Sequence, residues 1–197
     1  MQNGTCKQAK MLTENQIQTA LRHIKTTRYP ERDRVMFMLS LKAGLRAKEI
    51  ADLTWPMITD AEGAIADAIA LDNKASKGSN GGRTIPLNRE LRAALVDYKP
   101  VANRKPGDFI VTTERASKAT AGVVVHWFRR LYQSLSFDGC SSHSGRRTFI
   151  TRAARKVTEA GGSLRDVQYL AGHASLADTQ RYIESDVEAR KKLVDLI

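Results

Sequence analysis

Six side chains stand out for the residues that surround them. Arg46 lies in Ala43-Gly-Leu-Arg-Ala-Lys-Glu-Ile50, and Lys77 heads the turn-rich run Lys77-Gly-Ser-Asn-Gly-Gly82. His143 and Arg146 share His143-Ser-Gly-Arg-Arg-Thr148, His173 ends Leu170-Ala-Gly-His173, and Tyr182 sits in Thr179-Gln-Arg-Tyr-Ile183. The set comprises two guanidiniums and an ammonium, which bind oxyanions, two imidazoles that titrate near neutral pH, and a phenol. Each taken singly also has a plain structural role. Arg46 could cap carbonyls or pair with Glu49, Lys77 could be a solvated turn lysine, and His143 with Arg146 could be a helix-start pair. His173 could be a corner residue, and Tyr182 a packing residue on an amphipathic helix.

The elements that must position these residues read as mostly helical. Thr13 caps a predicted helix running to Thr27, with Ile17, Leu21 and Ile24 at spacings of four and three. The run from Arg34 to Gly44 is apolar nearly all round, which predicts a central helix and makes Met36, Phe37 and Met38 core. Between Trp55 and Leu87, short β-prone runs containing Ile65, Ile69 and Leu71, then Arg83-Thr-Ile-Pro-Leu87, flank a glycine-rich tip. This predicts a small antiparallel sheet of three strands, with Pro86 at an edge or strand end. Further helices are expected over 88–98, 120–135 and 145–160, and Asp108–Val111 as a short extended piece. Two short helices start at Ser163-x-x-Asp166 and Ser175-x-x-Asp178, each a capping box, with Gly172-His173 in the corner between them.

Composition narrows the function classes. The 197 residues carry a net charge of +11, and residues 111–165 hold ten Lys and Arg against three acids. Basicity concentrated in this way favours a polyanionic partner, through phosphate contacts and counterion release, although a merely solvated basic surface has the same composition. Cys6 and Cys140 are too few for a disulfide framework and lack metal-site spacing, and the N-terminus has no apolar leader run. No apolar stretch is long enough to span a bilayer, so a soluble cytosolic protein is expected.

The six residues, in this order, resemble the tyrosine recombinase, or phage integrase, family from about Leu12 onward. Ala43-Gly-Leu-Arg46-x-x-Glu49-Ile-x-x-Leu53-x-Trp55 is similar to the family's first arginine box, and Lys77 with Arg83-Thr-Ile-Pro-Leu87 to its β-hairpin lysine motif. His143-x-x-Arg146 matches the second box, and Leu170-Ala-Gly-His173 with Tyr182 nine residues later matches the third box and nucleophile. The resemblance implies a mainly α catalytic domain of the DNA breaking-rejoining type over 12–184, after a flexible segment 1–11 and before a tail helix 185–197. It also implies strand cleavage through a covalent 3′-phosphotyrosyl link, with no metal, cofactor or ATP. Tyr182 would attack, Arg46 and Arg146 would clamp the phosphate, and Lys77 would protonate the leaving oxygen, with Lys74 as a competitor. His143 would act as acid or base, His173 would donate a hydrogen bond to the phosphate, and Glu49 would orient Arg46. Lys118, Arg129, Arg130 and Arg147 are candidates for DNA backbone contact.

The partners implied are double-stranded DNA and three further copies in a tetramer on synapsed sites, with a monomer away from DNA and a nucleoid location in a bacterium. The tail would dock on a neighbouring subunit or on its own domain. Many relatives carry a further N-terminal helical domain, so the chain fits either a catalytic-domain fragment or the short recombinases such as the fimbrial-switch invertases. Gly145 stands where relatives often have a larger apolar residue. The rival readings are a type IB topoisomerase-like enzyme, and a DNA-binding regulator that has kept the fold without cleavage.

Overall fold

Helix α2 (Pro30–Lys42) forms the centre of the molecule, because the residues from Val35 to Leu41 are all buried and no face is left polar. The computed structural model describes residues 8–72, 82–102, 107–182 and 194–195. Around α2 pack α4 (Arg89–Ala102) and α6 (Ser144–Lys156), while α1 (Glu14–Ile24) and α3 (Ala47–Asp52) touch it at its ends. Helix α5 (Ala121–Ser134) lies on α3. The expected core trio Met36, Phe37 and Met38 is 2%, 0% and 2% exposed, which settles them as packing residues. Among the described residues no helix is long and apolar enough to cross a membrane.

Local signals set most helix starts. Thr13 and Gln16 form a reciprocal capping box at α1, and the Thr120 hydroxyl takes the Val123 amide at α5. At α7 (Leu164–Ala171) the Asp166 carboxylate accepts the Ser163 amide at 2.7 Å. At α8 (Leu176–Gln180) the Ser175 hydroxyl accepts the Asp178 amide at 3.3 Å, and the Asp178 carboxylate takes that hydroxyl in turn. From Gln8 onward the N-terminal segment is held on α6 and the turn before it. The Lys10 amide donates to the Gly139 carbonyl, the Leu12 amide to the Thr148 hydroxyl, and Arg147 to Gln8.

The sheet is smaller than expected. Two antiparallel strands, β1 (Ala68–Leu71) and β2 (Arg83–Pro86), pair Ile69 with Ile85 and Leu71 with Arg83. In place of a third strand, the described residues show single bridges, Thr59 to Ile65 and Thr54 to Phe109. The reason is local: Trp55–Met57 winds into a 3-10 turn around Pro56, and Gly63 at φ +80 closes a tight loop, leaving no extended run long enough to ladder. The Asp108–Val111 piece is extended over two bonds, Trp55 amide to Asp108 carbonyl and Ile110 amide to Leu53 carbonyl.

Gly145 has a packing explanation. Helix α6 crosses α2 so closely there that a Cβ would sit 2.5 Å from the Ser40 Oγ and 3.0 Å from its Cβ. Gly145→Ala is therefore expected to destabilise the fold by about 1–3 kcal/mol through overpacking, outweighing the helix propensity it gains. Urea unfolding of the two proteins checks this, and an unchanged midpoint would contradict it.

A second, small apolar cluster lies apart from the main core. Ile150 of α6 and Val167 and Ala171 of α7 are buried there, with Phe149, Leu164 and Tyr182 packed on them. It joins the helix that starts at His143 to the corner that holds His173.

Candidate active site

The C-terminal end of α7 gathers the site. Its last turn leaves carbonyls without helical partners, and these carry the negative end of the helix dipole. Three successive ones each receive a guanidinium: Leu170 O takes Arg83 Nε at 3.0 Å, Ala171 O takes Arg146 Nη2 at 2.7 Å, and Gly172 O takes Arg46 Nη2 at 3.1 Å. Gly172 ends the helix in the left-handed region at φ +59, and a Cβ there would lie 2.6 Å from Arg83 Nη1, so only glycine allows this turn beside that side chain.

Each arginine reaches the hub from a different element. Arg46 is the N-cap of α3, in extended backbone, and its side chain keeps 27% exposure. Arg146 projects from the first turn of α6, is 3% exposed, and also donates Nη1 to Gly44 O at 2.6 Å. Arg83 opens β2 and is buried on the same face of the strand as Ile85. One carboxylate serves two of them. Glu49, 1% exposed, accepts the Arg46 amide at 2.7 Å, Arg46 Nη1 at 3.1 Å, Arg83 Nη1 at 2.8 Å and Arg83 Nη2 at 3.2 Å. Burial raises the Glu49 carboxyl, but hydrogen bonds and charge from Arg83, then Arg46, hold it below the ordinary range. Removing either member of the buried Arg83–Glu49 pair would strand the other, at a cost of roughly 3–5 kcal/mol.

The imidazoles and the phenol complete the cluster. His173 Nδ1 is 2.9 Å from the hydroxyl of Thr179, which is fully buried, and its ring stacks on Tyr182 with centroids 5.4 Å apart at 23°. Tyr182 also lies under Arg147, whose Cζ is 5.9 Å from the ring centroid. Burial, then the charges of Arg146 and Arg46, lower His173 to about 4, so it is neutral at pH 7. His143, at the N-cap of α6, is lowered by burial and by the same two arginines. Arg146 is itself lowered to about 10 by burial and by Arg46, with Glu49 and Tyr182 opposing, and stays protonated at neutral pH. Among the described residues the centre thus sets three arginines against one carboxylate, and it favours the uncharged form of both histidines.

Of the residues singled out in the sequence, Arg46, Glu49, Arg146, His143, His173 and Tyr182 come together in this cluster. Lys77 and the competing Lys74 fall outside the described residues, as does nearly all of the 185–197 tail. Among the four candidates for backbone contact, Arg147 reaches the Tyr182 ring. Arg129 and Arg130 are exposed on α5. Lys118 is held by Asp52 at 2.6 Å and lies over the Phe109 ring at 4.5 Å. The packing reading of Tyr182 also holds, since its ring rests on the small apolar cluster.

In the sequence Arg83 stands only as part of the hairpin motif, with no sign of its own of a part in the site. The available signal was its parity: in a strand Arg83 and Ile85 share a face, so an inward Ile85 carries the arginine inward too. Thr179 gave no signal, because its partnership with His173 arises only when α8 folds back on α7. Among the described residues no three His, Cys, Asp or Glu side chains converge as a metal site would require.

Comparison with known proteins places the chain in a family and its fold among solved ones. The tyrosine recombinase XerC of Shewanella amazonensis is 28% identical over 197 residues, covering 96% of this chain and 62% of that protein. The chain therefore spans about three fifths of that relative's length. A crystal structure of XerA recombinase superposes with a TM-score of 0.73 at 19% identity, covering 94% of this chain and 64% of that one. The Tn1549 transposon integrase, solved in complex with a circular intermediate DNA, gives 0.70 at 23%, covering 100% and 68%. The sequence profile described as the phage integrase family matches residues 10–189, a span that takes in every element converging on the α7 terminus, and the chain belongs to that family.

Proposed function

We propose that this chain is the catalytic domain of a site-specific DNA recombinase that breaks and rejoins strands through a phosphotyrosyl intermediate. The observation that carries the reading is the charge imbalance at the α7 terminus, three guanidiniums around one carboxylate, beside a half-buried tyrosine ring. A backbone phosphate supplies the missing negative charge. Arg46 and Arg146 each keep N–H donors beyond those given to carbonyls and Glu49, and these bind the non-bridging oxygens as charge builds on them. The Tyr182 oxygen attacks phosphorus, the bond to the 5′ oxygen breaks, and Lys77 supplies the proton that oxygen needs to leave. His143 takes the phenol proton, which its lowered basicity keeps it free to accept. Thr179 donating into Nδ1 leaves the His173 Nε2 carrying hydrogen, a donor for the phosphate.

A phenol of pKa about 10 leaves more readily than an alkyl alcohol, so the link stays reactive toward a 5′ hydroxyl from the same or another duplex. Exchange of this kind places four copies on two synapsed DNA sites, in the compartment that holds the DNA. The test is a nicked suicide duplex whose short 5′ strand diffuses away after cutting, scored as a covalent adduct on a denaturing gel. An adduct that forms with chelator present is the expected result, and no adduct with any family-type site sequence would overturn the reading.

Proton linkage provides an independent expectation. Burial holds His143 and His173 down first and the charges of Arg146 and Arg46 next; a phosphate between those arginines offsets the second cause, so both become more basic in the complex. For His173 the free protein is neutral above about 4 and the ordinary value is 6.5. DNA binding at pH about 5.5 is therefore expected to take up protons, and at pH about 8 to take up none. Calorimetry in buffers of different ionisation enthalpy reads this directly, and buffer-independent heats at the lower pH would contradict it. The same depression makes the unfolded chain the better proton acceptor between 4 and 6.5, so the fold loses stability as pH falls through that window.

A further inference from the structure

Glu49 has two oxygens, and four N–H groups occupy them: two from Arg46 and two from Arg83. A buried carboxylate keeps drawing donors until its acceptor sites are filled. Arg46 offers a backbone amide and one Nη1 hydrogen to Glu49, and one Nη2 hydrogen to Gly172 O, which leaves part of its fork facing outward. Arg83 fills the rest of the carboxylate, and its fork is committed within the protein, both Nη atoms to Glu49 and Nε to Leu170 O. It also enters from the strand that leads out of the segment containing Lys77.

On the reading of this site as a phosphate-clamping one, we propose that Arg83 is a positioning residue: by saturating Glu49 it prevents the carboxylate from capturing the Arg46 guanidinium, and so keeps Arg46 available to the phosphate. Without Arg83, ionised Glu49 would pull Arg46 into a two-pronged pair and cancel its charge. Among the described residues, the charged groups that face Glu49 are Arg46 at the start of α3, Arg83 on β2 and, at longer range, Arg146 on α6. With Arg83 gone, burial would drive the carboxyl upward, and protonating it at low pH would release Arg46 again.

The test compares wild type, Arg83→Met, Arg83→Lys and the double variant Arg83→Met/Glu49→Gln. Inorganic phosphate affinity is followed by NMR, and maximal single-turnover adduct formation on the suicide duplex is measured per folded molecule. Arg83→Met is expected to lose at least tenfold in both at pH about 7.5 and to regain phosphate affinity as pH falls, by more than the rise that histidine protonation gives wild type over the same range. The double variant, whose neutral amide does not compete for Arg46, is expected to recover at least threefold over the single one. If Arg83→Met does not fold, Arg83→Lys, which keeps the charge but not the fork, should show a smaller loss with the same pH trend. Wild-type phosphate affinity in the single variant, or a double variant no better than it, would overturn the proposal. A wild-type protein that forms no adduct refutes the recombinase reading instead, and phosphate affinity alone then decides the role of Arg83.

Discussion

Tyr182→Phe is expected to abolish the covalent adduct while leaving the fold and DNA affinity nearly unchanged. The substitution removes one oxygen atom and nothing else. The ring keeps its stack on His173, its place under Arg147 and its packing on Ile150, Val167 and Ala171. The apolar contacts therefore persist, and the stability change should stay within about 1 kcal/mol, the scale of one net hydrogen bond. No neighbouring group can take over the attack with the same outcome, since a phosphohistidine or a water would give either a labile bond or a free end. Denaturing gels of wild type and variant on the same suicide duplex, with filter binding run alongside, make the comparison. An adduct that persists in the phenylalanine protein would place the nucleophile elsewhere, and a collapse of DNA binding would mean that the hydroxyl had a ground-state role instead.

Arg146→Lys should slow single-turnover cleavage by about 10²- to 10³-fold, the range seen when one donor to a developing oxyanion is lost. The residue is 3% exposed and bridges Gly44 O at 2.6 Å and Ala171 O at 2.7 Å through its two Nη atoms. Those two bonds fix the plane of the fork, so its remaining donors point in one direction before any DNA arrives. A lysine has one nitrogen on a flexible stem. It can satisfy one carbonyl or meet a phosphate, and the buried carbonyl left over costs about 1–3 kcal/mol of stability. The expected pattern is a large fall in rate with a small fall in DNA affinity, because most of the affinity comes from phosphates along the backbone and not from the one being cut. Rapid-quench kinetics at saturating protein separates the two. A rate within threefold of wild type would show that charge alone suffices at this position and that the bridging geometry has no catalytic consequence.

Helix starts were legible because their causes are local. A threonine or serine oxygen meets an amide two or three residues on, so Thr13, Thr120, Ser163 and Ser175 announce α1, α5, α7 and α8 without reference to the rest of the chain. The burial of α2 was legible for a related reason, since a segment apolar on every side has nowhere to be but inside. The third strand was misread because β-prone residues do not make a strand unless a partner lies at the right register, and the turns at Trp55–Met57 and Gly63 deny them one.

By itself, the sequence determined the types and order of the candidate site residues, the family to which the chain belongs, and the helices whose ends carry Arg46, His143, His173 and Tyr182. Tertiary structure alone decided that three successive carbonyls at the end of α7 would each receive an arginine, from positions 87, 25 and 126 residues away along the chain. It also decided that Arg83 would share Glu49 with Arg46, and that Thr179 would fix the His173 ring. The division follows from range. Capping, helix periodicity and strand parity act between neighbours and are written in adjacent letters, whereas a helix terminus attracts any donor that packing delivers to it, and which donor arrives depends on how every other element has folded.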